Sequence, residues 1–186
     1  MPCIERVRKL LDRNAISYEV VPHREAFTSQ EVAQTTHVPG RRLAKVVVLR
    51  ETDGSFLMAV TPASEHIDLS VLRNMTGRWG VTLAGEDDLR RVFPDCELGA
   101  MPPFGALYQL PTYLDACFWD EEDFYFQAGN HREVVHMKFA DYERGAGPFA
   151  GQYHLHEVVK IAHARGRDGR ARRPVTPGNG GVPDAG

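Results

Sequence analysis

Six aliphatic residues interrupted by one lysine, Leu43-Ala44-Lys45-Val46-Val47-Val48-Leu49, limit the folds open to this chain more than any other stretch. A run this long and this rich in β-branched valine describes a strand covered on both faces, because a strand with one wet face alternates apolar and polar residues. Lys45 is the exception. Strand side chains alternate, so Lys45 shares a face with Leu43, Val47 and Leu49, and its ammonium has to reach solvent, find a partner or meet an anion. Spacing alone leaves two readings open, a lysine near the strand start whose head reaches water and a cation that faces a ligand, and it favours the first.

The 186 residues suit one domain with a real core rather than two ordinary ones. With 42% hydrophobic and 25% charged residues the composition is that of a soluble globular protein. No stretch approaches the roughly 20 apolar residues that span a bilayer, and Met1-Pro2-Cys3-Ile4-Glu5-Arg6 lacks a signal-peptide hydrophobic region, so no membrane role and a cytoplasmic location are expected. Cys3, Cys96 and Cys117 are widely spaced and odd in number, without a Cys-x-x-Cys pair. Neither a disulfide framework nor a zinc ribbon is suggested, and reduced thiols fit best.

Charge is uneven along the chain. The net −3 divides into +4 over residues 160–186, where Lys160, Arg165, Arg167, Arg170, Arg172 and Arg173 face Asp168 and Asp184, and −7 over the rest. The basic end is also rich in glycine and proline, so the expected division is a domain over 1–160 and a disordered basic tail over 161–186. Such a tail either adds sequence-independent attraction to phosphates or only solubilises.

Ile4, Val7, Leu10 and Leu11 recur at helical spacing and predict an amphipathic helix over 3–13. Ile16 to Val21, ending at Pro22, alternates as a short strand. Thr28-Ser29-Gln30-Glu31 is a capping box. Asp53-Gly54 signals a hairpin between the Lys45 strand and Phe56-Leu57-Met58-Ala59-Val60. Asp68 or Ser70 caps a short helix, and Gly85-Glu86-Asp87-Asp88 opens another that must stop at Phe93-Pro94. After the loop Gly99–Gly105, the pieces Leu107-Tyr108, Tyr113-Leu114, Ala116-Cys117-Phe118, Phe124-Tyr125-Phe126 and Val134-Val135-His136-Met137 read as short strands. The expected fold class is α/β (α+β-like), a single domain with a mixed curved β-sheet and short surrounding helices.

The chemistry-bearing patterns are mostly negative. His131 and His136, and His154 and His156, lack metal-ligand companions, so no metal and no cofactor are expected. No Gly-x-Ser-x-Gly elbow supports a serine hydrolase, Cys96 beside Asp95 reads as a buried apolar residue rather than a nucleophile, and no nucleotide-binding glycine loop occurs. Two glycine-bearing turns remain. Gly99-Ala100-Met101-Pro102-Pro103-Phe104-Gly105 is stiffened by prolines and opened by glycines, which suits presentation of backbone N–H groups, and Gly129-Asn130-His131 places a ring and an amide at a strand end. By residue physics alone, an ordinary rigid turn and an ordinary hairpin turn are the favoured readings.

In their order and spacing, Pro39-Gly40 with Leu43–Leu49, Met58-Ala59-Val60-Thr61-Pro62-Ala63, Phe93–Gly105 and Ala128-Gly129-Asn130-His131 resemble the YbaK/prolyl-tRNA-synthetase-associated editing-domain family, over roughly residues 1–145. The resemblance implies trans-hydrolysis of mischarged aminoacyl-tRNA, with tRNA(Pro) carrying alanine, 2-aminobutyrate, cysteine, serine or threonine as substrate and prolyl-tRNA synthetase as a candidate partner. Lys45 corresponds to the family's strand lysine by the terminal adenosine, and Gly99 to Pro103 to its Gly-x-x-x-Pro pocket loop. Catalytic roles thus fall on Lys45 and the backbone of Gly99, Ala100 and Met101. Leu43, Val47, Met58, Pro102, Pro103, Gly129, Asn130 and His131 are the implied substrate-binding residues, with Met101 a further candidate for shaping the pocket. A substrate-assisted role for the ribose 2′-hydroxyl would explain the missing triad and metal. Alternative readings are a non-catalytic tRNA-end or synthetase-binding module and a small-ligand-binding regulator. The acidic body argues against strong tRNA affinity unless a basic patch around Arg41, Arg42 and Lys45, or a partner, supplies it.

Overall fold

A computed structural model describes residues 1–146. In chain order the elements are α1 (Cys3–Arg13), β1 (Glu19–Pro22), α2 (Ser29–Thr36), β2 (Leu43–Arg50) and β3 (Phe56–Pro62). Next come α3 (Leu69–Thr76), β4 (Thr82–Leu83), α4 (Glu86–Val92) and β5 (Thr112–Leu114). The described chain closes with β6 (Asp123–Gln127), β7 (Glu133–Lys138) and α5 (Phe139–Ala146). The expected domain limit at 160 and the basic tail 161–186 lie outside the described residues.

One mixed seven-stranded sheet runs β1-β7-β6-β2-β3-β5, with β4 paired to β2. The β2–β3 hairpin is antiparallel from Ala44 opposite Pro62 to Arg50 opposite Phe56. Its turn is closed by Gly54 at φ +85°, where only glycine is unstrained. β2 runs parallel to β6, and β3 parallel to β5. The remaining pairings, β1–β7, β6–β7 and β2–β4, are antiparallel.

Both sheet faces are covered, which is why the β2 run needs no alternation. On one face Ala44, Val48, Met58, Val60, Phe124, Phe126, Val135 and Met137 join Cys3, Val7 and Leu11 of α1 and Tyr142 of α5 in the main core. The opposite face carries two smaller clusters, Leu49, Leu57, Ala59 and Tyr113 around Leu72 of α3, and Leu43 and Val134 around Val32 of α2. Lys45 belongs to this second face.

The predicted capping box forms in full. Glu31 N donates to Thr28 Oγ1 at 3.2 Å, and Glu31 Oε2 accepts from Thr28 N at 3.1 Å. Asp68 rather than Ser70 caps α3, accepting from the Ser70 and Val71 amides. Two expected strands are instead 3-10 turns, Gly105–Tyr108 and Ala116–Asp120. Asp115 causes the second by accepting from Cys117 N at 2.9 Å, a cap that competes with strand extension. β1 starts at Glu19, later than expected, because Ile16 is drawn into the core beneath α1, its amide bonded to Leu11 O at 3.0 Å. β4 and α5 carry no expectation from sequence.

The turn between β6 and β7 is locked from both sides of the chain. Gly129 sits at φ +103°, and a Cβ there would overlap that of Cys3 and lie 2.9 Å from its Sγ. Gly129→Ala is therefore expected to destabilise by about 3 kcal/mol through strain and overpacking. The corresponding fall of roughly 10 °C in melting temperature is measurable by circular dichroism.

Candidate active site

A polar row crosses one end of this otherwise apolar sheet. Lys45 on β2 stands opposite Thr61 on β3. One position beyond the last β3–β5 pair, where Asp115 N donates to Val60 O at 2.9 Å, Asp115 lies beside Thr61. One position beyond the last β2–β6 pair, Gln127 lies on the other side of Lys45, and its Nε2 meets His131 Nδ1 at 3.4 Å. Thr61, Asp115, Gln127 and His131 are four of the five buried polar residues among those described. Polar side chains are placed there together, at the ends of strands, and the fifth, Thr112, stands apart from them at the start of β5.

The electrostatics of the row are mixed. Lys45 Nζ donates to the Glu65 carbonyl oxygen; burial lowers its pKa, and the Glu65 charge acts in the opposite sense. Cys117 is pushed up to about 11, first by burial and then by the charges of Asp115 and Glu65. The half-buried Lys45 thus feels the Glu65 charge, and Cys117 feels both Glu65 and Asp115. Thr61 is 1% exposed, and its Oγ1 has no hydrogen-bond partner among the described residues. An unsatisfied buried hydroxyl costs about 1–3 kcal/mol, which is tolerated where a site uses the group.

The glycine loop closes the His131 end. Gly99 has φ +90°, and a Cβ there would come within 3.6 Å of His131 Cε1. Glu97 fastens the loop to the β6–β7 turn twice, its N donating to Gly129 O at 2.9 Å and its Oε2 accepting from His131 N at 2.9 Å, while its carbonyl accepts from Ala100 N within the loop at 3.0 Å. Gly129 N returns a bond to Ala100 O at 2.7 Å. His131 Nε2 donates to Leu98 O at 2.9 Å while Nδ1 faces Gln127. Both ring nitrogens are engaged within the protein, which fixes the ring between the loop and the sheet.

Phe27 completes the rim. It is 65% exposed, and its ring lies 4.9 Å from that of His131. A hydrophobic residue just before a helix cap ordinarily staples onto the fourth helical residue. Here Val32 at that position packs with Ala26 instead, leaving the Phe27 ring free over the site. Its amide is held by Glu31 Oε2 at 3.0 Å.

Residues 23–144 match the family model described as the aminoacyl-tRNA editing domain. The chain belongs to that family. Solved structures with the same fold include a candidate trans-editing enzyme for prolyl tRNA synthetase, at TM-score 0.68 and 20% identity over 79% of this chain and 93% of that one. Another is the hypothetical protein APE2540, at TM-score 0.69 and 14% identity over 76% and 94%. A third is a scaffold used for epitope backbone grafting, at TM-score 0.67 and 19% identity over 79% and 93%. No curated protein matches the chain.

Within this editing domain the residues singled out by sequence divide. Lys45, Gly99, Gly129, Asn130 and His131 gather at one end of the sheet, with half-buried Val47 on the Lys45 face. Asn130 works on its own turn, Oδ1 accepting from Arg132 N and Nδ2 donating to Glu133 Oε2. Leu43 is on the correct face but sealed beneath α2. Met58 cannot line the same pocket as Lys45. It pairs with Val48, and alternation sends it into the main core on the opposite face. Ala100, Met101, Pro102 and Pro103 are buried; Met101 packs in the main core, and Pro103 O accepts from Tyr142 OH at 2.7 Å. Because Ala100 N is already bonded to Glu97 O, Gly99 N is the more available donor, its acceptor being the weak thioether of Met101 at 3.3 Å. The basic patch around Arg41 and Arg42 is neutralised, both guanidinium groups lying 2.7 Å from Glu121. Among the described residues no cluster of His, Cys, Asp and Glu suits a metal ion, and no helix is long and apolar enough to cross a membrane.

Two stability predictions follow from burial. Thr61→Val keeps the shape and removes the orphan hydroxyl, so it is expected to stabilise by about 1 kcal/mol or more, read by chemical denaturation. For Lys45 the folded pKa lies below the ordinary 10.5, so the unfolded chain holds the proton more tightly and stability rises with pH between those values. Lys45→Met is expected to be more stable than the parent at neutral pH, with the difference shrinking as pH climbs towards 10.5. Parallel denaturation curves at several pH values check the sign.

Proposed function

We propose that this editing domain hydrolyses mischarged aminoacyl-tRNA in trans, with tRNA(Pro) esterified to a small non-cognate amino acid as the substrate. The observation that carries the reading is the polar row Asp115, Thr61, Lys45 and Gln127 to His131, set in an apolar sheet and bounded by bare Gly99. An aminoacyl ester is already activated, so positioning a water and stabilising the developing oxyanion suffice. Neither a triad nor a metal is needed for that.

Each group has a part in this reading. The Lys45 ammonium offsets phosphate charge next to the terminal adenosine. Phe27, exposed at the rim, offers its face to the adenine, a contact worth about 1–3 kcal/mol for a stacked base. Gly99 N exchanges its thioether acceptor for the ester oxygen. The carboxylates of Glu65 and Asp115 suit the α-ammonium group of the aminoacyl moiety. The substrate's own ribose 2′-hydroxyl orients the attacking water.

Binding separates amino acids that differ by one methylene by only about 1–3 kcal/mol. A small pocket that sterically refuses proline and accepts alanine, 2-aminobutyrate, cysteine, serine or threonine would remove the errors a synthetase leaves. With Arg41 and Arg42 already paired, affinity for the tRNA body has to come from the basic residues 160–186 or from a partner such as prolyl-tRNA synthetase.

Deacylation of tRNA(Pro) and tRNA(Ala) charged with alanine, 2-aminobutyrate, cysteine, serine, threonine and proline tests the proposal. Turnover of the small-residue esters on tRNA(Pro), with prolyl-tRNA(Pro) spared, is expected. Lys45→Met should lower kcat/KM by about 100-fold or more while the fold persists. Phe27→Ala should raise KM by about 10-fold with little change in kcat. No turnover on any ester would leave a binding module that recognises tRNA ends.

A further inference from the structure

The two thiols dismissed singly by sequence meet in space. Cys3, the first residue of α1, and Cys96, in the turn after α4, both lie on the Tyr108 hydroxyl, at 3.3 and 3.2 Å. Sharing one hydroxyl keeps the two sulfurs within 6.5 Å of each other, the sum of those two distances. The surroundings are polar and ordered: Tyr108 OH donates to Asp95 Oδ1 at 3.1 Å, and Asp95 Oδ2 accepts from Arg6 Nη1 at 2.9 Å. The Arg6 guanidinium lies 4.6 Å from the centre of the Tyr108 ring.

The pair is asymmetric in the way a thiol–disulfide couple requires. Cys3 is 1% exposed; the hydrogen bond from Cys96 holds its thiol below the ordinary value, against burial and the Asp95 charge. Cys96, the donor in that bond, is pushed up by it and by burial. It is half-buried, so the pair as a whole is not sealed from solvent. The thiol held down is the better nucleophile of the two, and the one pushed up keeps its proton longer.

We propose that Cys3 and Cys96 are a modification site that closes to a disulfide in reaction with a small hydroperoxide. The Cys3 thiolate attacks one peroxide oxygen, the O–O bond breaks, and the departing oxygen takes a proton to leave as water or alcohol. Cys96 sulfur then displaces the hydroxyl from the Cys3 sulfenic acid, its own proton leaving with that hydroxyl as water. The two sulfurs lose two electrons in all, and the peroxide gains them. The bond would tie α1 to the segment that bears Glu97, beside the Gly129 backbone on which Cys3 rests. This inference stands apart from the deacylase reading, because it needs no substrate.

Full-length protein treated with hydrogen peroxide, quenched, alkylated and digested provides the test. A Cys3–Cys96 linked peptide that dithiothreitol dissolves is expected, together with a higher melting temperature of the oxidised form, since a long loop is closed. Cys117→Ser should retain the link, while Cys3→Ser and Cys96→Ser should each lose it. Tyr108→Phe, which leaves both thiols, should form it more slowly. Failure of wild type and Cys117→Ser to yield the linked peptide under conditions that oxidise free thiols, or a link through Cys117 instead, would overturn the proposal whatever the folding of the other variants.

Discussion

The sheet hangs on the sharing of β2. It is paired with β3 along its length, with β6 at its first end and with β4 at its last, while helices and loops cover both its faces. A strand enclosed over most of its length, with only Lys45 to Val47 half-buried and Arg50 exposed, offers little water to a side chain, so each enclosed position is apolar or must find a partner within the protein. Lys45 is the position where that rule is broken, and its neighbours are broken with it. Thr61, Asp115 and Gln127 stand at the same level on adjacent strands, so the exception spreads across the sheet as a line rather than remaining a point.

Much of this was legible in the chain. The apolar run, the Asp53-Gly54 hairpin, the Thr28 capping box and the stop at Phe93-Pro94 are local signals, and each acts locally in the structure. Lys45 and Gly99 stood out for the same reason, a residue at odds with its immediate neighbours. Thr61, Asp115 and Gln127 did not. A threonine in a strand is an ordinary β-branched residue, and Asp115 reads as a turn former; only the register between strands distant in sequence puts them beside Lys45. Phe27 was hidden differently, because its expected staple partner Val32 is taken by Ala26. The 3-10 turns at Gly105–Tyr108 and Ala116–Asp120 were mistaken for strands because short aromatic pieces carry too few residues to show a period.

The loop from Gly99 is built less like a surface loop than like an extension of the core. Its carbonyls and amides are traded with the β6–β7 turn through Glu97, Ala100 and Gly129, and its later side chains sink into the apolar cluster on the far face. A rigid edge of this kind holds in place the Gly99 amide, whose acceptor is a weak thioether. In the proposed deacylation, where water rather than a side chain is the nucleophile, that amide would be preorganised for the ester oxygen. The same trades explain why His131 is buried and doubly bonded: the ring serves as a wedge between loop and sheet.

The junction of β7 and α5 has a consequence for how such a domain can drift. Lys138 ends the strand and Phe139 begins the helix, with no residue between them, and one turn later the Tyr142 hydroxyl grips Pro103 O. A single inserted or deleted residue there would rotate Tyr142 by about 100° around the helix axis, pulling the hydroxyl from the loop that frames the site. Length variation among descendants of this chain should therefore be purged at residues 138–142. It should accumulate at the exposed Asp53-Gly54 tip, where nothing lies within 4 Å of a Cβ built on Gly54 and an added residue disturbs no contact that reaches Lys45.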